Sequence, residues 1–472
     1  MNPEQILQKV CRSLDILIEV GDQYGGLFPS LLDRHSHQML EELPAAIPGQ
    51  RDGDRAHLGS NLIHDEAALK TLYALSAALD RPTYAEAADR YLRHFATHCT
   101  NTASGLFPWG EHAYWHLAED RVGNSRHIRD PGAQGGAMHD HLRQVPLWLW
   151  QKLQAFNPEC VQRFAAGLHN HWTEGEGWEY IRHAHIEEVR LHGRGARSCD
   201  FPRHGGFYIF DWAFAYRQSG RAEWLEQIER MVDYWWPRRD GRDLLQIESR
   251  SPREDEKFYN TNAPGQTLSL AVSLLESLAF LQESQAELCA TMRQRALAYI
   301  DGFLAAPHDL EAGVFVILSR RDSNEVVQAM PVWGSVYGVW PSSYVALTAL
   351  CAYRLTQDVR LLDWARAVGG FYLREEMPAD VAAPAMDAGL GLGLLADLYD
   401  ITREKSWLEG GLELAEQVDT IYLDAELPRG AAGIDWCESQ MGPSFLQHGL
   451  ARIALLALDG DNCPLEADYT AR

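Results

Sequence analysis

A helical hairpin recurs along this chain, and the repetition constrains the fold more than any single motif does. HDEAALKTLYALSAALDRPTYAEAADRYLRHF from His64 is answered by GGFYIFDWAFAYRQSGRAEWLEQIERMVDYW from Gly205. The pattern returns in SSYVALTALCAYRLTQDVRLLDWARAVGGFYL from Ser342 and in MDAGLGLGLLADLYDITREKSWLEGGLELAEQV from Met386. Each copy opens with a helix of Ala, Leu, small and aromatic residues carrying few charges. A short polar turn follows (80–83, 219–223, 356–360, 402–406), then an apolar or aromatic residue at Tyr84, Trp224, Leu361 or Trp407. The second helix is amphipathic, with apolar residues at three- and four-residue spacing and charges between them.

A first helix that is apolar nearly all round is buried on both sides, and a second with one wet face lies outside. Stacked copies of such a pair predict two concentric helical rings, an all-α (α/α) toroid or barrel. Weaker copies lie at 142–172 and 263–303, and the opening helix with 443–456 can seal the ring. The count is about seven hairpins, with the commoner six as the alternative. One closed toroid spanning 1–472 accounts for the whole length without an internal domain boundary. Strand-like runs are few; 178–181 and 313–318 read as short loop hairpins.

With 46% hydrophobic and 23% charged residues, the composition is that of a globular chain able to build a large core. The net charge of −24 argues against a broad electrostatic grip on nucleic acid or an anionic membrane. An acidic ligand then requires a locally basic cleft. The eight cysteines are scattered without a CxxC pair, which excludes a zinc ribbon and disfavours a disulfide framework. No run of about 18 uncharged apolar residues suggests a membrane span. The first residues read as an amphipathic helix rather than a secretory signal, so the expected location is cytoplasmic, or periplasmic or secreted if the chain is a trimmed form.

In a toroid the long outer-to-inner loops open on one face, where the inner helices begin. His139-Asp140-His141, Pro202-Arg203-His204, the run from Phe258 to Asn262, the stretch 330–340 and the run from Asp435 to Gln440 all fall there. The turns on the other face are short and bland, so a single ligand cleft is expected at the mouth. Fifteen Trp and eighteen Tyr supply flat faces on which sugar rings can stack, although most serve to fill the ring. The segment GLFPWGEHAYWHL packs Trp109, Glu111, His112, Tyr114 and Trp115 into a loop that Pro and Gly keep from being helical. Arg194, Arg197, Arg203, Arg250 and Arg253 fall in mouth loops, where guanidinium forks suit carboxylate recognition.

The sharpest constellation is His204, Arg253 and Tyr259, on the mouth loops of consecutive hairpins. β-Elimination from a polyuronate removes the C5 proton α to a carboxylate, whose charge must be neutralised while an enolate-like intermediate forms. Arg253, helped by Asn260 or Asn262, could neutralise it. In a D-uronate with equatorial O4, proton and leaving group share a face, so one tyrosine can be both base and acid if a nearby Arg or His eases its ionisation. Tyr259 fits that role, with His204 in support. Trp109, Glu111, His112, Arg203, Asn260, Asn262 and Trp333 are candidate substrate contacts.

FPRHGGFYIFDWAFAY (201–216), SPREDEKFYNTN (251–262) and PWGEHAYWHL together resemble polysaccharide lyase family 38, toroidal lyases acting on alginate or glucuronan. The resemblance implies Tyr259 as catalytic acid/base with His204 and Arg253 beside it, an acidic polysaccharide or oligosaccharide as substrate, and no cofactor. A monomer or homodimer is expected. The H-x-H pairs His139/His141 and His183/His185 raise a metal reading, but no third ligand is fixed by spacing, so no metal site is predicted. The main alternative is an (α/α) barrel glycoside hydrolase with a carboxylate pair drawn from Glu111, Asp140, Asp211, Asp387, Asp435 and Glu438. A histidine-based sugar epimerase and a non-enzymatic scaffold are weaker alternatives.

Overall fold

The computed structural model describes residues 1–124, 136–174, 178–193, 200–249, 258–334, 339–378 and 380–472. Among them are fourteen α-helices that fall into seven pairs. The inner helices are α2 (Leu62–Ala78), α4 (Leu147–Phe156), α6 (Pro202–Ser219), α8 (Pro264–Leu281), α10 (Ser342–Thr356), α12 (Ala385–Thr402) and α14 (Pro443–Asp459). Their outer partners are α3 (Pro82–His94), α5 (Pro158–Gly167), α7 (Ala222–Trp235), α9 (Ala286–Leu304), α11 (Val359–Tyr372), α13 (Lys405–Tyr422) and α1 (Pro3–Gly21). The expected toroid is therefore present.

Burial follows the sequence pattern. Helix α12 is buried from Ala385 to Leu398 with Met386 the one half-buried residue, whereas α7 buries only the stripe Trp224, Ile228, Met231, Val232, Tyr234 and Trp235. Helix α14 packs between α12 and α2 and lies against α1, so the two ends of the chain close the ring. Gly389 and Gly449 permit that closure: a Cβ on Gly389 would run into the backbone of Phe445 and Leu446, and one on Gly449 into the Gly389 carbonyl. The hairpin turns are tight, with α6, α10 and α12 ending at left-handed Gly220, Gln357 and Arg403.

Among the described residues, ten short strands lie in the long loops. Strands β1 (Leu31–Asp33) and β10 (Trp436–Glu438) pair antiparallel, with Leu31 opposite Glu438. Strands β2 (Gly59–Ser60), β3 (Tyr114–His116) and β4 (Arg121–Gly123) form a second sheet, and β5 (Met138–His139) pairs with β6 (Ala184–His185). Strand β7 (Thr261–Asn262) adds to the hairpin of β8 (Phe315–Arg320) and β9 (Val326–Met330). The expected strand at 313–318 is thus part of a real hairpin. The one expected at 178–181 makes only an isolated bridge, Trp172 to Tyr180. No described helix is long and apolar enough to cross a membrane.

Candidate active site

Every inner helix except α2 begins at proline: Pro202, Pro264 and Pro443 are first residues, and Pro146, Pro341 and Pro384 are caps. Proline has no N–H to leave unsatisfied there and its φ suits a helix start. The first turns are consequently well defined, and their side chains meet at the mouth. His64, His204, Gln266, Tyr344 and Asp387 are each the third residue of their helix.

Three of them, His64, Tyr344 and Asp387, line a cavity of about 100 Å³ together with Glu111, Arg143, Arg203, Trp340 and Gln440. Gln266 lines a neighbouring cavity that shares Arg203 and Trp340. Arg203, the second residue of α6, is buried and donates from Nη1 to the Tyr344 hydroxyl at 3.1 Å. Its guanidinium carbon sits 4.3 Å from the centroid of the Trp340 ring, which is stacked on Tyr344 at 4.7 Å and 7°. Burial, with Arg182 and Arg143 nearby, depresses the pKa of this guanidinium. Arg143 is held by the Phe445 face at 4.7 Å. The net-acidic protein thus places two buried cations on one small cavity.

The groups around them are held neutral. Burial pushes the Asp387 carboxyl up to about 8, and its Oδ2 has no hydrogen-bond partner among the described residues. The close approach of Gly334, where a Cβ would collide with that carboxylate, encloses it. Burial and Arg143 hold the His64 imidazole well below its usual range, and burial with Arg203 and Arg182 does the same for His204. Both rings lack hydrogen-bond partners among the described residues, as does Gln266 Oε1. His64 and Asp387 line the cavity, so a polar ligand there meets two buried polar groups that no described residue fully pairs.

Beside the cavity, His112 Nδ1 lies 3.2 Å from Asp54, and its backbone N–H donates to Asp140 at 3.4 Å. Burial and repulsion from Glu111 push Asp54 up to about 6 and Asp140 up to about 7. Gly110 is required here because a Cβ would strike the Asp140 carboxylate. Ligand atoms of Asp54, Glu111 and His112 lie within 4.8 Å of one another, a grouping able to hold a divalent cation. The H-x-H pairs are used differently. His171 Nδ1–H donates to the Ile181 carbonyl at 2.8 Å, which leaves its Nε2 to accept from His139 Nδ1 at 2.9 Å. His139 Nε2 then accepts from Trp109 at 3.3 Å. His185 stacks on His192 at 5.3 Å.

The sequence candidates divide accordingly. Glu111 and Arg203 line the cavity, His112 lies beside it, and His204 is buried next to Arg203. Trp109 is fully buried among Phe95, Phe107, Trp150 and Phe164, so its ring fills core space rather than offering a sugar platform. Trp333 is likewise packed on Tyr372, with its N–H on the Glu375 carbonyl. Tyr259 is half-buried, its carbonyl accepting from Arg320 at 3.2 Å, and it is not among the residues lining the cavity. Asn260 adopts φ 48° and its carbonyl accepts from the Arg321 amide. Asn262 is buried and donates to Asp240 at 2.7 Å. Arg253, like Arg194, Arg197 and Arg250, lies outside the described residues. Sequence reasoning passed over His64, Arg143, Gln266 and Tyr344. For Gln266 and Tyr344 the signal is the distance from the helix-starting proline, and for His64 the distance from Asn61; Arg143, in the loop before Pro146, carries no such signal.

The model of a family described as periplasmic pectate lyase matches residues 45–232. The match takes in Asp54, His64, Glu111, His112, Arg143, Arg203 and His204. It supports a polysaccharide-degrading enzyme and names a different lyase family from the one the loop motifs resemble. It also corrects the expected cytoplasmic location, since the matching family is described as periplasmic and points to that compartment. No curated protein matches the chain. Among solved structures, a D-mannose isomerase is 11% identical over 80% of this chain and 98% of its own, with a TM-score of 0.50. A cellobiose 2-epimerase from Bacillus thermoamylovorans B4167 is 9% identical over 96% and 99%, with a TM-score of 0.48. An unsaturated glucuronyl hydrolase from Bacillus sp. GL1 is 11% identical over 99% of both chains, with a TM-score of 0.46. At these identities the likeness concerns the fold, a helical (α/α) barrel.

Proposed function

We propose that this chain is a polysaccharide lyase that cleaves a uronate polymer by β-elimination in the cavity around Arg203. The observation that carries the reading is a buried arginine that, with Arg143, lines the mouth cavity of a net-acidic barrel. Such a pair selects a carboxylate and offsets the charge that develops when the adjacent carbon loses its proton. Pectate, the substrate in the matching family's description, stands first. Alginate and glucuronan, suggested by the loop motifs, stand behind it.

In galacturonate O4 is axial, so the C5 proton and the leaving oxygen lie on opposite faces and separate groups must act on them. Tyr344, whose hydroxyl oxygen accepts from Arg203, is the base that takes the proton from C5. The electron pair forms the C4=C5 bond, the C4–O4 bond breaks, and Asp387, neutral below about pH 8, gives its proton to O4. Tyr344 thus takes the part that the sequence suggested for Tyr259. Trp340, which lines the cavity, supplies apolar surface for the sugar.

One observation favours a second reading. Glu111 and Asp387 both line the cavity, and a neutral carboxyl facing a second carboxyl group is the equipment of a glycoside hydrolase. Product mass separates the two. Elimination gives fragments whose new non-reducing end weighs one water less than the corresponding hydrolysis fragment. Unsaturated fragments from pectate support the lyase, and saturated fragments alone transfer the assignment to Glu111 and Asp387.

A further inference from the structure

Away from the mouth, on the outside of the barrel, His94 and His98 lie four residues apart where α3 runs into a wide turn, Phe95–Cys99. Residues at this spacing share a helix face, and such π-type turns are often found at functional sites. Asp120 faces them from the turn between β3 and β4, and the ligand atoms of all three lie within 4.8 Å of one another.

Three features beyond proximity mark the group. The Asp120 carboxylate meets His98 Nε2 at 2.8 and 3.0 Å. The Trp115 indole N–H donates to Asp120 Oδ1 at 3.2 Å, the outer-shell contact that orients a metal-ligating carboxylate. The His94 ring packs directly on Gly25, at φ +69°, where a Cβ would displace it. The His94 ring and the Asp120 carboxylate are thus held from behind, and the His98 ring meets the Trp115 ring edge-on at 5.3 Å.

We propose that His94, His98 and Asp120 form a divalent transition-metal site, with Zn²⁺ its first candidate. Two imidazoles and one carboxylate are a common Zn²⁺ donor set, and water completes the tetrahedron. Its role is mechanical. The β3–β4 hairpin pairs through β2 with the segment leading into α2 and His64. The loop before β3 carries Glu111 and His112 at the cleft. A metal bridging α3 and Asp120 anchors that loop to the outer ring.

Chelator-treated full-length protein is dialysed against Zn²⁺, and bound metal is counted per chain for wild type, His94→Ala/His98→Ala and His112→Ala. The mouth group that contains His112 could also take metal, so the variants separate the two places. The proposal predicts one zinc fewer in His94→Ala/His98→Ala than in wild type, and retention of that zinc in His112→Ala. It also predicts that Zn²⁺ raises the melting temperature of wild type but not of the double variant. Trp115→Phe should lower affinity about tenfold through loss of the oriented carboxylate. Equal zinc content in wild type and a natively folded double variant, judged by circular dichroism, overturns it. Failure of a double variant to fold is resolved by Asp120→Asn, for which wild-type zinc content and affinity again overturn the site.

Discussion

Arg203 donates from Nη1 to the Tyr344 hydroxyl at 3.1 Å beneath the Trp340 ring, joining residues 141 positions apart in sequence at the mouth of the barrel. A guanidinium fork at this point supplies several fixed donors, whereas an ammonium supplies one movable charge. Arg203→Lys is therefore expected to lower kcat by about 10²–10³, the range for loss of a preorganised donor to a developing oxyanion. Tyr344→Phe should fall at least as far and Tyr259→Phe should retain most activity. Steady-state rates on pectate check all three, with melting temperatures to establish folding.

Asp387 predicts the alkaline limb of the pH profile. Burial raises its pKa to about 8, so it carries its proton at neutral pH and loses it as pH rises through that value. Activity should fall as pH passes about 8. Asp387→Asn cannot donate the proton and is expected to lose about 10²–10⁴ in kcat. Its residual rate should lack this limb, as kcat/KM measured between neutral and alkaline pH would reveal.

Asp65 gives a prediction for stability. It is buried on α2 and accepts from the Tyr91 hydroxyl at 2.8 Å, and burial raises its pKa to about 7 despite that bond. Its unfolded value lies near ~3.9. Because the folded value is the higher, its stabilising contribution is complete below the unfolded pKa and is lost as pH rises towards about 7. The slope is about 1.4 kcal/mol per pH unit for one proton. Relative to Asp65→Asn, wild type should lose stability between about pH 4 and 7, followed by urea denaturation at each pH.

The ring was legible because burial is written into periodicity: α12 carries no charge between Asp387 and Asp397, and α7 alternates charge with a Trp224–Ile228–Met231 stripe. Its closure by the first and last helices was legible for the same reason. The site was harder. His204 and Arg203 stood out by composition, but His64, Gln266 and Tyr344 look like ordinary helix residues until the helix start is fixed. Trp109 and Trp333 misled because an aromatic in a long loop can face a ligand or plug the core, and only packing decides. Trp340, seven residues beyond Trp333, lines the cavity. The pairing of Arg203 with Tyr344 depends on the ring bringing the first turns of α6 and α10 together across α8, and the spacing of residues within one hairpin does not encode that.

The most direct measurement is ultraviolet absorbance during incubation with pectate, polymannuronate, polyguluronate and glucuronan in turn, with Arg203→Lys run beside wild type. Elimination leaves a C4=C5 bond conjugated to the carboxylate, which absorbs, and hydrolysis does not. The account predicts a rise on pectate with wild type and a rise at least about a hundredfold slower with Arg203→Lys. New reducing ends without any rise in absorbance would contradict elimination, and an undiminished rise with Arg203→Lys would contradict the place given to that arginine.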